Sequence, residues 1–218
     1  MEEYMKKQIT RVDDISKYIV CIEGIDGCGK DTQLSMLKDK GFYVTSEPNY
    51  ETPIGSLLRD ILKKNVSLKS KSTIEYLLVA DRNEHIADIK DHVNNGDTNK
   101  NKLCITGRYK YSGLAYTENP KLTYFLNDGM PEAGLFIFLE INPTVAINRI
   151  LKRDLGETEI YENINKLTIV NDEFHKIIRH FQQDRDVFPD VVIINAELSP
   201  EEIHKQIINS ITTYCENL

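Results

Sequence analysis

The stretch Gly24-Ile25-Asp26-Gly27-Cys28-Gly29-Lys30-Asp31-Thr32 limits the fold of this chain more than any other. It follows the apolar run Tyr18-Ile19-Val20-Cys21-Ile22 and leads into Gln33-Leu34-Ser35-Met36-Leu37-Lys38, which reads as helix. Strand, glycine loop and helix in that order make a cradle for phosphate. The glycines let successive N–H groups turn into one concavity, and the helix N-terminus adds partial positive charge. Lys30 reaches the outer phosphates as a point charge. A Ser or Thr usually follows that Lys and offers its hydroxyl to Mg²⁺; here Asp31 stands there, with Thr32 next. Cys28 reads as a small residue filling a tight turn, since no second Cys is near enough in sequence to resolve a redox centre.

Short apolar segments then alternate with helical ones. Phe42-Tyr43-Val44-Thr45-Ser46 reads as a strand closed by Glu47-Pro48, and 53–64 as a helix with Pro near its start. A long helix opens at Thr73 and reaches about Asn94, and 94–101 reads as an exposed turn. Leu103-Cys104-Ile105-Thr106 is a buried strand, followed by Gly107-Arg108-Tyr109 and a helix from about Ser112. Leu135-Phe136-Ile137-Phe138-Leu139-Glu140 is a fourth strand; Thr144 is expected to cap a helix reaching about Arg153, and a loop from Asp154 to Glu159 leads to a long helix through about Asp184. Val191-Val192-Ile193-Ile194 is the last strand, and Ser199-Pro200-Glu201-Glu202 opens the last helix with a Ser cap, Pro and two acids. This alternation predicts a parallel α/β sheet covered on both faces, with ligands at the carboxyl ends of its strands.

A length of 218 residues suits one such domain, with 18–218 as the folded unit and the polar 1–17 as a surface lead-in without the apolar core of a signal peptide. A net charge of −7 and the lack of a dense Lys/Arg tract argue against a nucleic-acid partner, and no segment has the length of a membrane span. The scattered Cys21, Cys28, Cys104 and Cys215 form no metal spacing and point to reduced thiols in a cytoplasmic protein. An acidic chain that binds phosphate must gather its few cations in one cleft. Arg82, Arg108, Arg149 and Arg153 are placed for that role, and a planar guanidinium binds phosphate oxygens in pairs. Arg108 is the strongest candidate because it directly follows a buried strand.

Several stretches together resemble the thymidylate kinases. They are Ile22-Glu23-Gly24-Ile25-Asp26-Gly27-Cys28-Gly29-Lys30-Asp31-Thr32-Gln33, Leu77-Leu78-Val79-Ala80-Asp81-Arg82, Gly107-Arg108-Tyr109-Lys110-Tyr111-Ser112-Gly113-Leu114-Ala115-Tyr116, Gly129-Met130-Pro131 and Gly156-Glu157-Thr158-Glu159-Ile160-Tyr161-Glu162. The resemblance spans about 18–215. It implies a P-loop NTPase three-layer α/β/α sandwich with a five-stranded parallel sheet in the order 2-3-1-4-5 and a short lid at about 150–162. The implied reaction is Mg²⁺-dependent transfer of the γ-phosphate of ATP to dTMP, giving dTDP and ADP in dTTP synthesis, by a homodimer paired through the helices at 53–64 and from 73.

The same resemblance implies roles for individual residues. Lys30 and the loop Gly24, Ile25, Asp26, Gly27, Cys28, Gly29, Asp31 and Thr32 would hold the phosphates of ATP, with Asn195 and Ala196 near the adenine. Arg108 would clamp the dTMP phosphate and Arg82 the thymine edge, with Leu78, Ser112 and Gly113 lining the base pocket. Tyr50, Tyr116 and Tyr161 would close around base and ribose. Asp26 would stand between donor and acceptor, Glu162 would help to hold Mg²⁺, and Arg149 and Arg153 would fall where the lid begins. Tyr109 and Tyr111 have a packing role as half-buried rings with a wet hydroxyl, and Tyr76 also belongs to packing.

Four positions depart from the family pattern. Gly107 replaces the Asp before Arg108, Asp31 replaces the loop hydroxyl, and Leu78 replaces the Phe that stacks on thymine. Asn49 and Tyr50 stand where an Arg follows the Pro. The first two touch metal chemistry, and Asp31 could supply the carboxylate that Gly107 lacks. Two other readings therefore stay open: a related nucleotide or nucleoside kinase with a different base preference, and a nucleotide-binding homologue impaired in catalysis.

Overall fold

The computed structural model describes residues 15–153, 163–183 and 189–218, with Arg153 described in its backbone only. The sheet is built from β1 (Ile19–Glu23), β2 (Tyr43–Ser46), β3 (Cys104–Gly107), β4 (Leu135–Glu140) and β5 (Asp190–Asn195). All neighbours are parallel, in the order β2-β3-β1-β4-β5. Every residue of β1 and β3 is buried, as expected of central strands covered on both faces. Ile22 pairs with Gly107 and Glu23 with Phe138, so β1 and β3 end within a residue of each other while β4 runs on to Glu140, and the carboxyl ends open toward ligand.

The helices are α1 (Lys30–Asp39), α2 (Pro53–Leu62), α3 (Thr73–Asn95), α4 (Asn99–Lys102), α5 (Lys110–Tyr116), α6 (Pro120–Leu126), α7 (Pro143–Arg153), α8 (Ile164–Phe181) and α9 (Pro200–Glu216). α1 packs on β2 and β3 and against α9, whereas α8 packs on α5, α7 and β5. The core follows the strands, with Tyr111, Phe136 and Phe181 meeting edge to face at ring separations of 5.2–5.5 Å. A smaller apolar cluster, Leu58, Ile61 and Ile74, joins α2 to α3.

Some expectations need correction. The 94–101 turn gives way to α4, whose start is capped by the Thr98 side chain accepting from Asn101 N. α5 begins at Lys110 rather than near Ser112, and α6 lies in a stretch with no expected helix; Asn119 caps it and Pro120 fills its first turn. At α7 the cap is the Asn142 side chain, whose Oδ1 accepts from Thr144 N at 2.8 Å, so Thr144 lies inside the helix. The last helix follows expectation: Ser199 and Glu202 form a reciprocal capping box. Ile15 and Ser16 are buried, and Lys17 O accepts from Tyr214 Oη at 2.8 Å, so the chain joins the core before residue 18. Residues 1–14, most of the expected lid, Tyr161 and Glu162 lie outside the described residues.

Candidate active site

The glycine loop leaves the carboxyl end of β1 and returns as α1. Gly27 has φ +82°, and a Cβ there would lie 2.5 Å from the Ala146 carbonyl oxygen, so the close approach of α7 admits only glycine. Gly29 is the helix cap with φ +96°. Ile25 and Cys28 are buried beneath the loop, which agrees with Cys28 as a filler. Lys30 folds back over its own loop, donating to Gly24 O at 2.7 Å and Ile25 O at 3.1 Å. Its ammonium therefore lies within the loop that would receive phosphate.

A cleft of about 720 Å³ opens over this loop. Residues 26–33 line it, Lys30, Asp31 and Thr32 among them, and Arg108, Arg149, Arg59 and Lys63 bring positive charge from other elements. Arg149 is anchored by its Nη1 donating to Ala196 O at 3.0 Å. Toward α9 the wall is Leu198, Pro200 and Ile203, while Ala196 is buried behind it and Asn195 is exposed on the rim of β5.

At the inner end of the cleft Arg108 Nη2 pairs with Asp26 Oδ1. Tyr116 Oη donates to Asp26 Oδ2 at 3.0 Å and accepts from Asp26 N at 3.1 Å. The Arg108 guanidinium also sits 5.2 Å from the Tyr116 ring centroid. Burial pushes the Asp26 carboxyl up, but the Arg108 and Lys30 charges and the Tyr116 hydroxyl outweigh it and hold Asp26 below its ordinary range. Burial likewise works against the charged form of Arg108, yet Asp26 and Glu23 keep it firmly protonated. Burial and the neighbouring Asp26 push the Tyr116 phenol well above its usual range, so it remains a donor.

Beyond this pair lies a narrower cavity of about 90 Å³. Tyr50, Leu78, Arg82, Arg108, Ser112, Gly113 and Tyr116 all line it, together with Asp26, Glu75 and Tyr109. The two cavities share Asp26, Glu47, Pro48, Tyr50 and Arg108. Arg82 is 2 % exposed and fixed in place: Nε donates to Glu47 Oε2 at 2.7 Å and Nη1 to Asn127 Oδ1 at 2.5 Å. Glu47 is held in turn by His85 Nδ1 at 2.9 Å, and His85 Nε2 meets Thr45 Oγ1 at 2.7 Å. Two bonds at fixed points orient a planar guanidinium, leaving its remaining edge toward Gly113.

The sequence reading missed Glu47, His85, Arg59 and Lys63. Arg59 lies 5.3 Å from the Tyr50 ring centroid and lines the cleft, so a cation does stand near the loop where Asn49 and Tyr50 replaced one. Its only sequence signal is its position on α2. Tyr109 and Tyr111 are fully buried rather than half wet, their hydroxyls donating to Pro131 O at 3.0 Å and Glu132 Oε2 at 2.6 Å. Tyr76 is 54 % exposed and does not serve the core.

No cluster of three or more His, Cys, Asp or Glu suited to a metal exists among the described residues. Mg²⁺ does not require one, because it takes one or two carboxylates and completes its shell with water and substrate phosphate. Asp26 and the exposed Asp31, on either side of Lys30, fit that donor set.

Residues 22–207 match the family model described as thymidylate kinase. A thymidylate kinase of Schizosaccharomyces pombe is 31 % identical over 204 residues, covering 89 % of this chain and 91 % of that protein. One from Campylobacter jejuni subsp. doylei is 33 % identical over 197 residues, covering 86 % and 96 %. The solved thymidylate kinase of Candida albicans superposes with a TM-score of 0.71 at 25 % identity, covering 90 % of this chain and 91 % of that one. A deoxyadenosine kinase from M. mycoides shares the fold, with a TM-score of 0.62 at 20 % identity. With the family model matched over most of its length and relatives 31 % and 33 % identical covering most of it, the chain belongs to the thymidylate kinase family.

Proposed function

We propose that this chain transfers the γ-phosphoryl group of ATP to dTMP, giving ADP and dTDP. The observation that carries the reading is the pair of cavities meeting at Asp26 and Arg108. One is floored by a phosphate loop; the other is lined by an apolar Leu78 and a fixed Arg82 suited to a carbonyl-bearing base. In the reaction an oxygen of the dTMP phosphate bonds to the γ-phosphorus while the bond to the ADP oxygen breaks. Negative charge spreads over the transferred group, so cations are needed on both sides of it. Lys30 and the loop N–H groups serve the donor, and Arg108 serves the acceptor phosphate. Arg149, Arg59 and Lys63 add positive field to the same cleft, with Arg153 as the lid arginine.

Mg²⁺ would be held by Asp31 and Asp26, with Glu162 from the lid, and would neutralise phosphate charge when bound. Tyr50, Tyr116 and Tyr161 would close around the sugar. Homodimer formation through α2 and α3 accords with the exposed Leu57 and Tyr76 on those helices. No helix among the described residues is long and apolar enough to cross a membrane, and we infer a cytoplasmic enzyme with no nucleic-acid partner.

ADP release from ATP and Mg²⁺ across dTMP, dGMP, dCMP, dAMP and thymidine tests the reading. The expected result is the highest kcat/KM for dTMP; preference for another acceptor, or calorimetric binding of both nucleotides without turnover, would overturn it. Asp31→Ala should raise the Mg²⁺ concentration needed for half-maximal rate, and an unchanged requirement would remove Asp31 from the metal site.

A further inference from the structure

Glu23 is the last residue of β1, fully buried, and no part of the reaction just described uses it. Its carboxylate takes three hydrogen bonds, all from the segment that follows β3. Oε1 accepts from Tyr109 N at 2.8 Å and Ser112 N at 3.2 Å, and Oε2 accepts from Ser112 Oγ at 2.6 Å. α5 has Tyr109 at its cap position and no side-chain cap of its own. Glu23 supplies from another strand what a local Ser or Asp would supply, pairing the Tyr109 N–H and sharing the Ser112 N–H with Tyr109 O, which lies at 3.0 Å.

This grip bears directly on Arg108. Arg108 has φ +67°, a left-handed conformation that residues with a Cβ adopt only under constraint. The backbone on either side is therefore pinned. Arg108 N donates to Ile22 O at 3.1 Å, and the next N–H along the chain is the one held by Glu23. Ser112 Oγ, which donates to Glu23, accepts from Arg108 Nη1 at 3.3 Å. The last two residues of β1 thus fix both the backbone turn and the side-chain direction of Arg108.

We propose that Glu23 is a positioning residue that aims Arg108 at the acceptor phosphate; this rests on the dTMP reading of the narrower cavity. Replacing the carboxylate by an amide removes its charge and turns an N–H₂ group toward Ser112 Oγ, so the Glu23–Ser112 bond reverses and Ser112 Oγ meets two donors, the amide and Arg108 Nη1. The phosphate clamp loosens, while the Leu78 and Arg82 side of the pocket and the ATP loop stay as they are.

Calorimetry of wild type and Glu23→Gln with dTMP, thymidine and ATP tests this. The expected result is dTMP binding weakened at least tenfold, with thymidine and ATP each changed less than threefold. Equal weakening of all three ligands, or unchanged dTMP binding in a folded variant, would reduce Glu23 to a packing role. Should Glu23→Gln fail to fold, Glu23→Asp keeps the charge but withdraws it by one methylene, and the same split between dTMP and thymidine is expected. Wild-type protein that binds no dTMP would instead refute the proposed function.

Discussion

Gly107→Asp restores the carboxylate that the family pattern places before Arg108, and the structure predicts that it fails on its own. A Cβ at 107 would lie 2.3 Å from Leu34 Cδ1, whereas carbon atoms in contact need about 3.5–4.0 Å. Leu34, on α1 and 8 % exposed, must withdraw its methyl by roughly 1.5 Å from that contact distance into a packed layer. Overpacking of this kind costs about 1–3 kcal/mol. This lowers Tm by roughly 2–12 °C for a chain of this size. Leu34→Ala alone should cost about 2–5 kcal/mol through its cavity. In the double variant the new carboxylate occupies that cavity, so the total should fall short of the sum by about 0.5–3 kcal/mol. Urea titrations of the four proteins with matched slopes measure the coupling. A Gly107→Asp protein as stable as wild type, or a strictly additive double variant, would refute the idea that Leu34 occupies the place of the missing Asp.

Leu78→Phe should add ring stacking worth about 0.5–1.5 kcal/mol on a bound pyrimidine, raising the preference for dTMP over dGMP in kcat/KM about two- to tenfold. An unchanged or lower preference would show that Leu78 does not face the base. His204, on α9, is buried with neither ring nitrogen hydrogen-bonded among the described residues, and burial, then the nearby Lys40 charge, lower its pKa. The unfolded chain therefore binds a proton more readily near the ordinary value of about 6.5, and stability is lost as pH falls through that value. His204→Leu should flatten the fall in Tm between about pH 7 and 5, and an equal slope in both proteins would clear His204 of the effect.

What could be seen in advance was local. The loop from Gly24 to Thr32 carries its strand and helix beside it, β4 is an unbroken apolar run, and the Ser199 box lies within four consecutive residues. The residues of the narrower cavity came from the family resemblance, and those that are described line it together. What escaped was fixed across the chain. Arg82 is oriented by Glu47 and Asn127, which lie 35 and 45 residues away. Tyr109 and Tyr111 are buried because their hydroxyls find partners at Pro131 and Glu132, which no periodicity reveals. α4 and α6 are single short segments whose Thr98 and Asn119 caps are visible only to a reader who expects a helix there. Leu34 against Gly107 is a compensation between a helix and a strand, and spacing along the chain is silent about it.

The ion pair between Asp26 and Arg108 stands in the wall common to both cavities. An anion that draws the guanidinium toward one chamber releases a carboxylate to the other. Each nucleotide thereby alters the field that its counterpart meets, and linkage requires the two affinities to change by the same factor.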